Sequence, residues 1–121
     1  MKAARQKHYR AGLRAEYVAC ATLMLKGYWP VAMRYKTSVG EIDLILRRRR
    51  TLVFVEVKAR KSRADAAHAV HAKNQSRVVR ASQHFLIHHP RYQDFQVRFD
   101  VVLVAWYKKP HHVIHAFDEP I

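Results

Sequence analysis

A chain of 121 residues, half of them hydrophobic, has room for one compact domain and excludes a second domain of ordinary size. Its 23 Lys and Arg against nine Asp and Glu give a formal net charge of +14, which favours nucleic acid as the partner. A basic surface that only keeps the protein soluble or holds it near ribosomes is the alternative, because charge indicates a partner and never a reaction.

The first residues are basic but lack the apolar core and cleavage signature of a secretory signal. No apolar run approaches the roughly 20 residues that a membrane-spanning helix needs. The lone cysteine, Cys20, cannot form an internal disulfide, and its helical context predicts a buried small hydrophobe rather than a nucleophile. We therefore expect a cytoplasmic protein, a single domain over residues 1–121, with no membrane partner.

The chain is predicted to open with an amphipathic helix from about His8 to Lys26. Apolar residues recur there at three- and four-residue steps and define one face, which consists of Leu13, Tyr17, Cys20, Ala21 and Met24. Gly27 can end this helix in a left-handed conformation. The stretch from Tyr28 to Tyr35 is predicted to be a strand, in which Pro30 suits an edge position.

A β-hairpin is predicted next. Glu41 to Leu46 alternates charged and apolar residues, Arg47 to Arg50 is a basic break, and Thr51 to Ala59 is rich in β-branched residues. A second helical pattern covers about Ala66 to His88 and is stopped by Pro90.

Phe95 to Tyr107 is predicted to be a strand covered on both faces, and His112 to Phe117 would pair beside it. The order of elements predicts an α/β fold in which a mixed β-sheet of four to five strands is flanked by α-helices. A helix between the third and fourth strands permits a parallel right-handed crossover there.

The hairpin gathers acidic side chains on one face. Residues two apart in a strand face the same side, so Glu41 and Asp43 share one face, as do Glu56 and Lys58. A turn through Arg49 and Arg50 would place Asp43 opposite Glu56 and Glu41 opposite Lys58. The opposite face of the first hairpin strand is expected to carry Ile42, Leu44 and Leu46.

Two carboxylates this close repel each other, and hard oxygen ligands of this kind suit Mg²⁺ or Mn²⁺. A metal held by Asp43, Glu56 and the carbonyl of Val57 would polarise a phosphodiester, while Lys58 orients water or neutralises charge. The pattern therefore predicts hydrolytic phosphodiester chemistry. The alternative is a solvated hairpin face held by weak cross-strand ion pairs.

The segments Gly40-Glu41-Ile42-Asp43 and Val55-Glu56-Val57-Lys58 resemble the hallmark of PD-(D/E)XK nucleases. Together with Arg98-Phe99-Asp100-Val101-Val102 they resemble the bacterial YraN-like family over nearly the whole chain. That family is similar to archaeal Holliday-junction resolvases, which are dimeric magnesium-dependent nucleases.

This resemblance implies a restriction-endonuclease-like fold and a homodimer. It also implies that Asp43 and Glu56 ligate the metal, that Lys58 assists catalysis, and that Glu16 reaches the site from the opening helix. Glu16 read by itself is an exposed helix residue. Glu41 belongs to the family motif, where it would tune the field or pair with Lys58.

Some segments depart from the family's usual pattern. Arg34-Tyr35-Lys36 stands where an Asn-aromatic-Arg triplet is expected, Ala64 to Ala67 replaces a Phe-Gly loop, and Asn74-Gln75 replaces a Lys-Gln pair. Gln75 and Arg77 match the pattern and are candidates to face substrate, although a solvated helix side is an equal alternative for each.

Basic residues are predicted on both sides of the proposed metal, where they would contact backbone phosphates and position a duplex. A solvated charge run is the alternative. These residues are Arg47, Arg48, Arg49, Arg50, Arg60, Lys61 and Arg63. The aromatic residues Trp29, Tyr35 and Trp106 are expected in the core, with stacking on splayed bases as the alternative. The nine histidines are expected on the surface rather than around zinc.

The leading hypothesis is a metal-dependent DNA endonuclease, specific for branched or distorted duplexes. The main rival is a nucleic-acid-binding protein that keeps the nuclease fold without turnover. An RNA-processing nuclease ranks below both, because nothing in the sequence distinguishes ribose from deoxyribose recognition.

Overall fold

A computed structural model describes residues 2–59, 72–105 and 108–118, with side chains described from residue 12 in the first helix and from residue 75 in the second. The elements are α1 (Lys2–Leu25), β1 (Trp29–Lys36), β2 (Glu41–Arg48), β3 (Thr51–Ala59), α2 (Ala72–His88), a 3₁₀ turn (Pro90–Tyr92), β4 (Gln96–Val104) and β5 (His111–Phe117). The predicted helix start near Ala66, the basic residues Arg60, Lys61 and Arg63, and Trp106 lie outside the described residues.

The five strands form one sheet in the order β1-β2-β3-β4-β5. β3 and β4 run parallel, and the other neighbouring pairs run antiparallel. The predicted α/β class, a mixed sheet flanked by helices, is confirmed, as is the parallel pairing of the third and fourth strands. No helix in these described ranges is long and apolar enough to cross a membrane.

The hairpin has the register that the sequence predicts. Leu44 lies opposite Val55 and Arg48 opposite Thr51, so the turn passes through Arg49 and Arg50. Arg49 adopts φ 55°, the left-handed conformation common in tight turns. The pairing of β2 with β3 runs from Arg48 only as far as Leu44, and this break positions the candidate site at the start of β2.

The sheet separates two apolar layers. α1 packs on one side through Ala15, Ala19, Cys20 and Leu23, which contact strand residues Leu44, Leu46, Val53 and Val55. α2 packs on the other side, where Val78, Val79, Ala81 and Phe85 join Ile42, Ile45, Leu52 and Phe54. Burial on both faces explains the nearly continuous hydrophobic runs of the central strands.

The predicted apolar face of α1 is wrong at Tyr17, Ala21 and Met24, which are exposed, whereas Leu13 is half-buried and Cys20 buried. Tyr17 is 62% exposed and Met24 44% exposed, whereas Ala15, Ala19 and Leu23 are fully buried. Small side chains let the helix axis approach the sheet closely, and the larger residues of the stripe remain outside. Cys20 is buried as predicted, and burial raises the pKa of its thiol.

The expected common face of Ile42, Leu44 and Leu46 is also wrong, because Ile42 lies in the α2 layer and the other two in the α1 layer. The cause lies on the neighbouring strand, where Arg34 adopts φ 53°. Met33 and Tyr35 flank it and lie in opposite layers. Met33 pairs with Leu44 and Tyr35 with Ile42, so both strands change face at the position of Arg34 and Asp43.

Two aromatic residues that the sequence assigns to the core behave differently. Trp29 is 68% exposed at the start of β1, contrary to the prediction. Tyr35 is half-buried, and its ring packs edge-on against Phe85.

Candidate active site

Asp43 lies where β2 and β3 cease to pair. Its Oδ2 atom accepts a hydrogen bond of 2.8 Å from the backbone N–H of Val57. The Asp43 carboxylate therefore accepts the hydrogen bond that a backbone carbonyl of a neighbouring strand would otherwise accept from Val57. Val57 lies between Glu56 and Lys58 on β3. This contact brings Asp43 beside Glu56 and Lys58.

Burial raises the pKa of Asp43 to about 7, and the negative charges of Glu56 and, more weakly, Glu16 act in the same direction. The Val57 N–H and the charge of Lys58 oppose this rise. Three carboxylates therefore interact electrostatically at one point of the sheet. A cation placed there would relieve their mutual repulsion.

Glu56 and Lys58 share a face of β3, as predicted from their spacing. Their side chains form an ion pair of 2.9 Å, and each is only 15% exposed. The lysine thus pairs within its own strand and not with Glu41 across the hairpin. Glu41 is exposed and lines two small cavities, one shared with Asp43 and the other with Glu56.

Glu16 is buried on α1 and faces the sheet, so the alternative of an exposed helix residue is excluded. Arg34 binds it through two hydrogen-bonding nitrogens, with Nε 2.8 Å from Oε1 and the terminal nitrogen 3.3 Å from Oε2. The resemblance drawn from the hairpin motifs predicts Asn at this position, a residue that tolerates the left-handed conformation well. The arginine keeps that conformation and adds a cation beside Glu16.

The donor set fits a hard divalent ion. Asp43 and Glu56 offer carboxylate oxygens and Val57 offers a backbone carbonyl, the ligand types that Mg²⁺ and Mn²⁺ prefer. Over the part of the chain that the structure describes, no three His, Cys, Asp or Glu side chains are grouped closely enough to hold a metal. A metal here would depend on two carboxylates, with waters or substrate oxygens completing its shell, as is usual for Mg²⁺.

The second helix forms one wall of the site. Arg77 and Val78 line a cavity with Glu41 and Glu56, and Arg77 is exposed. Contact of Arg77 with substrate stays a prediction. Gln75 is half-buried near the start of the described side chains of α2.

Gly40 allows α2 to approach this closely. A Cβ atom at residue 40 would lie 2.0 Å from the carbonyl oxygen of Arg77, so only glycine fits. The turn before it is held by Thr37, whose hydroxyl donates to the Gly40 carbonyl at 2.7 Å and accepts from the Gly40 N–H at 3.0 Å. The entry to β2 and the backbone of α2 are therefore packed directly together.

The arginines of the hairpin turn lie at a distance from the carboxylates, and the basic residues predicted on the other side, Arg60, Lys61 and Arg63, lie outside the described residues. Arg50 and Glu56 are six residues apart on an extended strand, which corresponds to about 20 Å. Arg47 to Arg50 therefore lie at the opposite end of the sheet from Asp43.

A family model described as "Uncharacterised protein family UPF0102" matches residues 15–104. The chain belongs to this family. A UPF0102 protein of Nitrobacter winogradskyi is 49% identical over 110 residues, which cover 91% of this chain and 93% of the relative. UPF0102 proteins of Rhodopseudomonas palustris and Parvibaculum lavamentivorans are 50% and 49% identical, and the matches cover 91% and 90% of this chain and 82% of each relative.

Membership of UPF0102 confirms the YraN-like, nuclease-fold assignment made from the hairpin motifs. The matched span includes Glu16, Asp43, Glu56 and Lys58. Neither the family description nor the names of these relatives states an activity.

Sequence reasoning missed a second buried carboxylate, Asp100 on β4, as a polar centre. Its Oδ1 accepts from Arg98 Nε at 2.8 Å and from the His115 N–H at 3.0 Å. Its Oδ2 accepts from a terminal nitrogen of Arg98 at 2.8 Å and from His112 Nε2 at 2.6 Å. The expectation of surface histidines is wrong for His112, whose side chain is 1% exposed.

Burial raises the pKa of Asp100, but the hydrogen bonds from His112 and Arg98 outweigh it and hold the pKa at about 2. The spacing of Arg98 and Asp100 on one strand face is a local signal that could have indicated an ion pair. The pairing with His112 depends on the register of β4 with β5, which the sequence does not give.

Proposed function

We propose that this UPF0102 protein is a metal-dependent endonuclease that hydrolyses phosphodiester bonds in DNA, with branched or otherwise distorted duplexes as substrates. The observation that carries the proposal is the half-buried Asp43, whose pKa rises to about 7 beside Glu56 at the point where two strands separate. Perturbed carboxylates in such a position are typical of functional sites.

Asp43, Glu56 and the carbonyl of Val57 would hold Mg²⁺ or Mn²⁺. When bound, the ion supplies Lewis-acid polarisation of a phosphate and lowers the pKa of a coordinated water. Lys58 lies 2.9 Å from Glu56, so its ammonium group is fixed where it can hydrogen-bond a water or a phosphate oxygen. Glu16, held by Arg34, adds a weaker negative charge to that of Glu56 at Asp43.

The choice of DNA rests on the net charge of +14 and on the resemblance of the hairpin to DNA-cutting enzymes. RNA hydrolysis would use the same carboxylates and differs only in recognition of the sugar. A cytoplasmic location and a homodimer remain part of the proposal.

The test is cleavage of supercoiled plasmid and of a synthetic four-way junction with Mg²⁺ or Mn²⁺. The wild type should nick or cut at least one form, and Asp43→Ala and Glu56→Ala should each lower the rate by at least about 10²-fold, since each removes a ligand. Asp94→Ala is the matched control, because it removes an equal charge from an exposed site. Equal cutting by all four proteins would refute the assignment.

A second candidate is a nucleic-acid-binding protein that keeps the nuclease fold without turnover. The observation in its favour is the closed Lys58–Glu56 ion pair, which satisfies both groups without a metal. It predicts DNA binding that falls steeply with salt, survives Glu56→Ala and needs no divalent ion.

A further inference from the structure

The turn between β2 and β3 carries four consecutive arginines, Arg47 to Arg50, which we call the arginine tip. Three of them, Arg48 to Arg50, are exposed, and Arg47 is half-buried. Along the strands the tip lies about 13 Å (Arg47 to Asp43) to about 20 Å (Arg50 to Glu56) from the candidate active site. The guanidinium groups of Arg47 and Arg50 lie over Phe95, just before β4, and so would bind a different phosphate from the one at the carboxylates.

Aromatic rings fix these arginines in place. The guanidinium carbons of Arg47 and Arg50 both lie 4.9 Å from the ring centroid of Phe95, within cation–π range. Phe95 is held by its own N–H, which donates to the carbonyl of Tyr92 at 3.1 Å, and the Gln96 N–H donates to the carbonyl of Arg50 at 2.9 Å. The ring therefore has a fixed position beside the turn.

The other side of the tip is held in a similar way. The guanidinium carbon of Arg48 lies 4.4 Å from the ring centroid of Tyr28, and one of its terminal nitrogens donates to the carbonyl of Lys26 at 3.4 Å. Arg47 donates to the carbonyl of Arg49 at 3.2 Å. Three of the four guanidinium groups are therefore partly immobilised. Their side chains would lose less conformational entropy when an anion binds.

Like charges held at one ring repel each other unless an anion is present. No Asp or Glu within residues 12–59, 75–105 and 108–118 forms an ion pair with Arg47 to Arg50. Guanidinium groups bind phosphate oxygens through paired N–H donors, and a nucleic-acid backbone presents such phosphates at regular spacing.

We propose that the arginine tip, with Phe95 as its platform, is a second binding site for the DNA backbone, separate from the metal-binding carboxylates. The site binds phosphates without reading bases and needs no metal. Its ligand class rests on the proposed function, but it is measured by binding and not by cleavage, so each idea can fail alone.

The test is fluorescence anisotropy of a labelled 30-base-pair duplex in EDTA at several salt concentrations. Arg47→Gln/Arg50→Gln should weaken binding about tenfold and reduce the slope of log K against log salt by about 2, close to one unit for each lost phosphate contact. Arg14→Gln/Arg80→Gln removes the same charge from exposed positions on α1 and α2 and should weaken binding less than about threefold. Equal losses in both pairs would overturn the proposal.

Substitutions of Phe95 distinguish a preorganised phosphate-binding site from general attraction by the positive charge of the protein. Phe95→Leu leaves every charge in place but removes the ring, and it should weaken binding about threefold, whereas Phe95→Trp should retain affinity because it keeps an aromatic face. Circular dichroism would establish that each variant is folded. Wild-type binding by folded Phe95→Leu would overturn the role of the platform, and loss of metal-free binding by Asp43→Ala would show that the two sites are one.

Discussion

Two carboxylates of the same sheet, Asp43 and Asp100, have opposite electrostatic environments. Asp100 accepts hydrogen bonds from Arg98, His112 and His115, and its pKa is held at about 2. Asp43 accepts one hydrogen bond from the Val57 N–H, lies near two further acids, and has its pKa raised to about 7. Burial alone therefore does not indicate a functional acid. The deciding property is whether the protein itself compensates the buried charge.

Among the substitutions that test this comparison, the largest change in stability is expected at Asp100. Asp100→Asn would leave Arg98 and His112 without their counter-charge in a buried region, and should lower the free energy of unfolding by about 3–5 kcal/mol. Urea denaturation followed by circular dichroism measures it.

The matched control for Asp100 is Asp94→Asn, which changes an exposed side chain and should shift stability by less than about 0.5 kcal/mol. If Asp100→Asn were as stable as this control, the polar centre on β4 would not be structural.

A smaller effect of opposite sign is expected at Asp43. Its folded-state pKa, about 7, exceeds the ordinary value of 3.8, so between these pH values the folded protein holds a proton that the unfolded chain has released. Without a divalent ion, the free energy of unfolding should therefore fall as pH rises through this range, by at most about 1.4 kcal/mol per pH unit. Asp43→Asn keeps an oxygen for the Val57 N–H and lacks this slope, so it should be more stable than wild type above pH 7.

Chemical denaturation at pH 5, 6.5 and 8 measures this difference. Mg²⁺ should stabilise the wild type at pH 8 much more than at pH 5, because only the charged carboxylate binds it. The lowered pKa of Asp100 predicts a second effect in a separate pH range. The free energy of unfolding should fall as pH drops from about 4 towards 2, because the unfolded chain takes up a proton there before the folded protein does. A wild-type curve that rises between pH 5 and 8 in EDTA would contradict the assignment of Asp43.

The smallest effect concerns the backbone at Arg34, beside Asp43. Arg34→Asn and Arg34→Ala both remove the ion pair with Glu16, but Asn tolerates the left-handed conformation better than Ala. We expect the Asn variant to be more stable than the Ala variant by about 0.5–1 kcal/mol, measured by thermal and urea unfolding. Equal stability of the two variants would remove the conformational argument for the face change at this position.

The hairpin could be predicted from the sequence because its signals are local. Alternation fixed which residues pair, and the arginine run located the turn, so the register of Leu44 with Val55 follows from burial. The placement of Ile42 could not be predicted, since it depends on the left-handed backbone of Arg34 on another strand. Simple alternation assumes regular strands and fails at such a position.

The buried face of α1 shows a different limit. Periodicity weights large apolar residues, so Tyr17 and Met24 dominated the predicted stripe, whereas the sheet selects small residues such as Ala15 and Ala19 for close contact. Within the candidate site, the common face of Glu56 and Lys58 on β3 could be predicted, because it depends only on their two-residue spacing. The contact of Arg34 with Glu16 and the cluster around Asp100 join elements distant in sequence, and only the tertiary structure brings them together.

The absence of a side chain at Gly40 ties the distance between β2 and α2 to a single backbone position. Even an alanine there would press on the Arg77 carbonyl and push the second helix away from the start of β2, so the distance between these two elements is set without any polar contact. Residue 40 thereby fixes the position of Arg77 and Val78 relative to Glu41 and Glu56, the four residues that line one small cavity.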